Sequence, residues 1–266
     1  MAGPGAEPAP DGGSLIRSGR LCGMDDCRPV HRDPAPDRYG RLHVRTADLG
    51  PAHWLVERLR RDGALGIVAG VCAPGFAAYA RILHPATLDE RPVRWATVAA
   101  AHGRPGVTGT TRWHELIGFG IDDRTASDLG LPGVWDEHPA EGPTPPDVAR
   151  ALIPVLARHT RTPERCWFGL WSGYGRRDFD HLPTFPTPGR DEILLAGPLD
   201  DAVSPALPDE FDELPDLWWP EDRAWCVGGD VDLVSTYVGG SPELIADLLA
   251  APGLEAHPVG PGDLLD

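Results

Sequence analysis

One eleven-residue stretch, DLWWPEDRAWC at residues 216–226, combines three tryptophans with a single arginine, Arg223. An arginine guanidinium can bond a carboxylate through two parallel hydrogen bonds and can stack on aromatic rings. We therefore predict a structural ion pair between Arg223 and a neighbouring carboxylate, shielded by the tryptophans. The candidate partners are Asp222, Asp230 and Asp232. The alternative is that Arg223 binds the anionic group of a substrate.

Aromatic side chains around this arginine are the candidate binding residues. Indole and phenol rings offer a large apolar face with one polar group at the edge. The candidates are Trp171, Tyr174, Trp218, Trp219, Arg223 and Trp225. Within the segment DVD, Asp230 and Asp232 alternate, which predicts a strand with both carboxylates on one face. A divalent cation could use them, but pairing with arginine is favoured because no EF-hand spacing accompanies them.

A second group of chemically capable residues lies in GFAAYARILHP. Its alternation predicts a strand with Tyr79 and Arg81 on one face, followed by His84. A histidine can act as an acid or a base at neutral pH. Tyr79, Arg81 and His84 are therefore weak catalytic candidates, and with Trp171 and Tyr174 they could line a hydrolase-type cleft. The alternative is that His84 is a surface residue at the end of a strand.

Near the N terminus, Cys22, Cys27 and His31 form a C-x4-C-x3-H pattern. A closed zinc site needs four ligands, and only His43 or Asp26 could complete this set. The pattern is a weak metal candidate, so we predict no cofactor.

The composition excludes several function classes. The chain contains no Lys, Asn or Gln, so all 24 basic residues are Arg. Without Lys there is neither a P-loop lysine nor a Schiff base for pyridoxal phosphate. The five cysteines are widely scattered, and no secretory signal or apolar run of membrane-spanning length is present. These features predict a soluble cytoplasmic protein with reduced thiols.

Negative charge is concentrated at one end of the chain. Residues 191–266 hold 18 Asp or Glu and one Arg. This field disfavours nucleic acid and anionic lipid as partners and favours a basic protein. The alternative is a solvated acidic surface that keeps the protein soluble. The oligomeric state cannot be predicted from these features.

Periodicity predicts residues 1–40 as a disordered leader and residues 41–266 as a single α+β domain. We expect a mixed or antiparallel sheet flanked by helices. AWCVGGDVDLVSTYVGG predicts a hairpin, and ALGIVAGV predicts a buried strand. SPELIADLLAAPG predicts a helix that has Ser241 as its N-cap and Gly253 as its stop.

Several of these segments also carry a family resemblance. YARILHPA, CWFGLWSGYG and LWWPEDRAWCV followed by STYVGGS resemble motifs of a family of uncharacterised proteins from high-GC bacteria. The resemblance runs from about Arg41 to the C terminus and implies a single domain. It implies no activity and no catalytic residue.

The sequence therefore favours a cytoplasmic binding or interaction protein, without catalysis, whose acidic C-terminal third faces a basic partner. The alternative is a hydrolase-type enzyme with the cleft of Tyr79, Arg81, His84, Trp171 and Tyr174.

Overall fold

The computed structural model describes residues 37–118, 130–174, 179, 181–206 and 213–265. Residues 1–36 of the predicted leader lie outside the described residues, and so do the zinc candidates Cys22, Cys27 and His31. Residues 38 and 39 already form the first strand, so the sheet begins slightly earlier than predicted.

Twelve strands and six α-helices make up the described fold. The strands are β1 Arg38–Tyr39, β2 Leu42–Val44, β3 Ala78–Leu83, β4 Ala86–Leu88, β5 Arg91–Val93, β6 Cys166–Trp171, β7 Thr184–Thr187, β8 Arg190–Gly197, β9 Leu217–Pro220, β10 Cys226–Gly228, β11 Ser235–Gly240 and β12 Ala256–Val259. The helices are α1 His53–Asp62, α2 Val68–Val71, α3 Trp95–Ala101, α4 Trp113–Ile117, α5 Pro146–Arg158 and α6 Pro242–Ala250. Two 3-10 helices span Gly50–Ala52 and Leu199–Ala206.

Ten strands form one sheet in the order β1-β2-β8-β6-β9-β10-β11-β3-β12, and β7 pairs with the first half of β8. Every described pairing in this sheet is antiparallel. The predicted α+β class is confirmed, with a sheet of the antiparallel kind. The predicted hairpin is present as β10 and β11, with Val227 opposite Val238.

Helices cover both faces of the sheet. The apolar residues of α5 and α6 pack on one face, and those of α1 and α2 pack on the other. Successive strand residues point to opposite faces, so Trp218 joins the first core and Trp219 the second. The central strands β9, β10 and β11 are consequently buried on both faces. A third core around Trp95 joins α3 to α4.

Local sequence signals explain one helix well and fail at two other segments. Ser241 caps α6, since its Oγ accepts the backbone N–H of Leu244 at 3.2 Å. The segment predicted as the strand ALGIVAGV instead forms a turn and the short helix α2. Asp230 and Asp232 lie in the turn between β10 and β11 rather than on a strand. Within the described residues, none of the helices has the length and apolar character that a membrane span requires.

Candidate functional site

The ends of three neighbouring strands and one turn bring acidic side chains together. Trp171 at the end of β6 pairs with Glu192 of β8, and Asp216 directly precedes β9. The backbone N–H of Asp216 donates to the carbonyl of Gly169 at 2.8 Å, which holds Asp216 beside β6. The turn after β10 places Asp230 in the same cluster.

Asp216 is 3% exposed, and both of its carboxyl oxygens accept hydrogen bonds. Oδ2 accepts the backbone N–H of Trp171 at 2.9 Å, and Oδ1 accepts the hydroxyl of Tyr174 at 2.8 Å. Burial raises the pKa of Asp216 to about 7, although these two hydrogen bonds and the charge of Arg190 oppose the rise. Asp216 therefore changes its charge near neutral pH.

Glu192 is also 3% exposed, but one of its oxygens lacks a hydrogen-bond partner. Its Oε1 accepts the hydroxyl of Thr187 in a long hydrogen bond of 3.4 Å, whereas its buried Oε2 has no partner among the described residues. Burial, and then the charge of Asp216, raises the pKa of Glu192 well above its ordinary value. Because an unpaired buried acceptor is costly, a hydrogen-bond donor or a cation would be stabilised at Oε2.

Arg190 supplies the positive charge of the cluster. Its Nη2 pairs closely with Asp230 and lies 3.3 Å from a carboxylate oxygen of Asp232. Its guanidinium carbon lies 4.9 Å from the ring centre of Trp171, which fixes the plane of the group. Buried Nη1 has no partner among the described residues. This guanidinium therefore contacts the carboxyl groups of Asp230 and Asp232, and its charge also acts on those of Asp216 and Glu192.

Beside these groups lies a small space that we call the acidic cavity. It is lined by Leu59, Gly70, Val71, Thr187, Pro188, Arg190, Glu192, Leu217, Gly229 and Asp230. Its volume is about 20 Å³, which is room for one group the size of a water molecule. Asp216 is not a lining residue, but its charge acts on Glu192, which is one.

A larger depression, which we call the apolar groove, lies next to the acidic cavity. It has a volume of about 290 Å³ and is lined by Val56, Leu59, Arg60, Gly63, Pro186, Thr187 and Pro188. Leu59, Thr187 and Pro188 line both spaces, so the groove and the cavity are neighbours. The acidic cavity thus has an apolar approach between α1 and the β7–β8 turn.

The catalytic candidates predicted from β3 lie elsewhere, in what we call the Arg81–His84 network: Arg81, His84, Thr144, Ser235 and Thr236. Arg81 is 1% exposed and donates from Nε to the hydroxyl of Ser235 at 2.8 Å. Its Nη1 donates to the carbonyl oxygens of Thr111 and Gly109 at 2.6 and 3.1 Å. Arg81 thereby ties a loop to the sheet.

His84 is fully buried at 0% exposure, so it is neither a surface residue nor open to a substrate. Its Nδ1 donates to the carbonyl of Ala140 at 2.8 Å, and its Nε2 lies 2.9 Å from the hydroxyl of Thr236. That hydroxyl in turn lies 2.9 Å from the hydroxyl of Thr144. The chain of hydrogen bonds gives His84 a structural role.

Tyr79 is 3% exposed and equally engaged. Its hydroxyl donates to the carbonyl of Ala73 at 3.1 Å and accepts the backbone N–H of Phe76 at 3.0 Å. Burial raises the pKa of Tyr79 to about 12, which keeps the phenol protonated.

The predicted hydrolase cleft is therefore divided between two places. Three strands, β9, β10 and β11, separate β6 from β3, so the two lie about 19 Å apart at ordinary strand spacing. Trp171 and Tyr174 belong to the acidic cluster, whereas Tyr79, Arg81 and His84 are buried on and beside β3.

The predicted ion pair of Asp230 and Asp232 has Arg190 as its cation instead of Arg223. Asp230 and Asp232 contact Arg190, whereas Arg223 is exposed, with its guanidinium 5.5 Å from the ring centre of Trp54. Arg223 lies in the turn after β9 with a φ of +55°.

Asp222 has partners of its own. It accepts the hydroxyl of Thr160 and the backbone N–H of Arg161, both at 2.8 Å, and the backbone N–H of Ala224 at 3.2 Å. Burial opposes ionisation, but these hydrogen bonds prevail and lower the pKa of Asp222. Of the predicted binding residues, Trp218, Trp219 and Trp225 are at most 1% exposed and belong to the core.

Much of the acidic third pairs with arginines from earlier in the chain. Asp201 lies 2.7 Å from Arg41, and Glu221 lies 2.8 Å from Arg165. Asp247 of α6 contacts Arg158 at 3.3 Å and His159 at 2.9 Å. These partly exposed pairs add little stability each, but they reduce the charge that an external partner would meet.

Sequence reasoning missed Arg190 and Glu192, the first and third residues of β8. The available signal was a Glu directly before the apolar run ILLAG, where its side chain must enter a buried face. Among the described residues, Arg190 and Glu192 are the Arg, Asp or Glu residues that have an unpartnered buried side-chain atom. Whether a buried atom lacks a hydrogen-bond partner can be seen only in a structure, so this signal was not available from the sequence.

No protein-family model, curated protein or solved structure matches this chain. The resemblance to a bacterial family therefore stays a prediction. Across the described parts of the chain, no group of three or more His, Cys, Asp or Glu side chains is arranged to hold a metal ion.

Proposed function

We propose that the protein is a binding protein that recognises a basic partner, and that the acidic cavity receives a cationic group of that partner. The observation that carries this proposal is the buried Oε2 of Glu192, which has no partner among the described residues and belongs to a side chain that lines a space for one small group. Asp230 and Asp232 already outnumber the guanidinium of Arg190 that they contact, and Asp216 and Glu192 add negative charge when they ionise. Three carboxylates elsewhere in the acidic third, those of Asp201, Glu221 and Asp247, pair with the chain's own arginines.

The same proposal includes a cytoplasmic protein that binds neither nucleic acid nor membrane. The described cysteines Cys72, Cys166 and Cys226 are free thiols, as expected for a reducing compartment. The acidic field would repel phosphate groups.

Titration calorimetry with short basic peptides, at low and high salt, tests the proposal. We expect the wild-type protein to bind basic peptides and to lose affinity as salt rises. Glu192→Gln should weaken binding at least tenfold, because the amide cannot ionise to pair with the bound cation. Glu243→Gln, which removes one charge from α6 on the opposite face of the sheet, should change affinity less than twofold. Equal binding by wild type and Glu192→Gln would refute the proposal.

A hydrolase is the second candidate, and the pKa of Asp216 favours it. A carboxyl group with a pKa of about 7, bonded to Tyr174, has the proton affinity of a general acid or base. Chromogenic esters, amides and phosphoesters would reveal such an activity. The wild type should then show a pH profile with an inflection near 7, and Asp216→Asn should abolish turnover.

A further inference from the structure

We propose that the cationic group entering the acidic cavity is the ammonium of a lysine side chain of the partner, with its carbon chain lying in the apolar groove. This inference rests on the binding function proposed above. It names the side chain that the partner must present.

The size of the acidic cavity selects the head group. A volume of about 20 Å³ accommodates one group the size of a water molecule. A lysine ammonium is a compact point charge, whereas an arginine guanidinium is a larger planar fork. The cavity therefore fits the first better than the second.

Hydrogen-bonding chemistry agrees with the size. An ammonium has three N–H donors and no acceptor. Glu192 Oε2 lacks a donor and is 97% buried with its residue, so a charge-assisted hydrogen bond there would replace an unpaired acceptor. The charges of Asp216 and Asp230 add to the attraction across a poorly hydrated space.

The apolar groove suits the four-carbon arm. Lysine keeps its methylenes on apolar surface while its charged end reaches a polar site. Leu59, Thr187 and Pro188 line both spaces, so an arm in the groove would lie next to the cavity. Arg60 on the groove wall disfavours a second cation near the arm. The chain itself contains no Lys, so none of its own side chains provides this group.

The test uses the blocked peptide Gly-Ser-X-Ser-Gly and the full ¹⁵N-labelled protein, with the amide signals of Thr187 and Gly229 as the readout. X is Lys, Arg, Nε-acetyl-lysine or 2,4-diaminobutyrate. We expect the Lys peptide to bind at least tenfold more tightly than the Arg and acetyl-lysine peptides. The diaminobutyrate peptide, which lacks two methylenes, should bind roughly tenfold more weakly than the Lys peptide.

Two variants locate the bound side chain. Glu192→Gln should abolish the selectivity for Lys, and Val56→Trp, which fills the groove, should weaken the Lys peptide at least tenfold. Leu249→Trp adds similar bulk to α6 on the opposite face and should leave the affinity unchanged.

Three results would overturn the inference. If Arg and Lys peptides bind equally and both depend on Glu192, the binding function stands and the lysine assignment is wrong. If n-butylamine binds as tightly as the Lys peptide, the site takes a free amine instead of a side chain. If no peptide shifts the two amide signals, the lysine assignment and the role of the cavity both fail.

Discussion

The acidic cavity and the Arg81–His84 network are two buried polar clusters in one sheet, and they differ in how their charges are satisfied. In the network, Arg81 donates to Ser235 and to two backbone carbonyls, and both ring nitrogens of His84 have partners. At the acidic cavity, Glu192 Oε2 and Arg190 Nη1 have no partner within the described part of the chain, and carboxyl groups outnumber the guanidinium.

This difference is the reason why we propose a binding role for the acidic cavity and a structural role for the network. A buried polar group that is fully hydrogen-bonded fixes a fold, whereas an incompletely satisfied one stores free energy that a ligand can release. The raised pKa values of Asp216 and Glu192 have the same origin, since burial disfavours the ionised form of both carboxyl groups. The pH dependence of stability can therefore distinguish the two clusters. At the acidic cavity, Asp216 and Glu192 can bind protons and so reduce the repulsion between carboxylates, whereas the Arg81–His84 network contains no carboxyl group.

The largest expected effect comes from replacing the arginine in each cluster. Arg190→Leu should destabilise the fold by up to about 5 kcal/mol at pH 8, because it leaves buried carboxylates without their cation. Much of this loss should disappear at pH 5, where these carboxyl groups bind protons. Urea unfolding at both pH values measures the difference.

Arg81→Leu is the matched comparison. It should cost at least about 3 kcal/mol, because Ser235 and two carbonyl oxygens lose their donor. Carbonyls do not titrate, so the cost should vary by less than about 1 kcal/mol with pH, through the neighbouring His257, whose pKa is lowered by burial and by Arg81. If both variants recover equally at pH 5, the proposed distinction between the clusters is wrong.

The next effect concerns the proton on Asp216. Its pKa rises from 3.8 to about 7 on folding, so between these values the folded protein holds a proton that the unfolded chain has lost. This contribution to stability is complete below about pH 4 and is lost as the pH rises through 7. The change is about 4 kcal/mol for a single group, and Glu192 adds in the same direction.

Asp216→Asn should remove most of this pH dependence. Its amide can accept the N–H of Trp171 and donate to the hydroxyl of Tyr174. The variant should therefore gain stability relative to wild type as the pH rises from 5 to 8. Parallel urea curves at every pH would contradict the raised pKa.

A smaller effect is expected for Tyr174→Phe, which removes the donor to Asp216 Oδ1. The loss should be about 1–2 kcal/mol at pH 8. Because this hydrogen bond favours the ionised carboxylate, its removal raises the pKa of Asp216 further. The loss should therefore be smaller at pH 5. An equal loss of stability at both pH values would show that the Tyr174 hydroxyl does not act through its hydrogen bond to Asp216.

Sequence patterns predicted the elements better than the contacts between them. The alternation of β3, the hairpin of β10 and β11, and the Ser241 cap depend on local preferences, and all are present. The short helix α2 was missed because four apolar residues fit a strand or a helix equally well. The acidic cluster was missed because its members come from distant segments, which only the pairing of β6, β8 and β9 brings together.

Arg223 shows why counting charges was insufficient. It is the only cation among the last 76 residues, which made it the expected partner of Asp230 and Asp232. That argument confined the search to nearby sequence, whereas Arg190 reaches both carboxylates from the start of β8. An arginine on a neighbouring strand can therefore be the partner of a carboxylate even when another arginine is closer in sequence.

The smallest expected effect is therefore that of Arg223. Its guanidinium lies 5.5 Å from the ring centre of Trp54, and Arg58 covers the same ring at 5.1 Å, so the contact is partly duplicated. Arg223→Ala should cost less than about 1 kcal/mol. Its φ of +55° is a conformation that glycine adopts without strain, so Arg223→Gly should be at least as stable as Arg223→Ala. Urea unfolding of both variants beside Arg190→Leu measures the contrast, and a loss above 2 kcal/mol in both would restore Arg223 as a structural ion-pair residue.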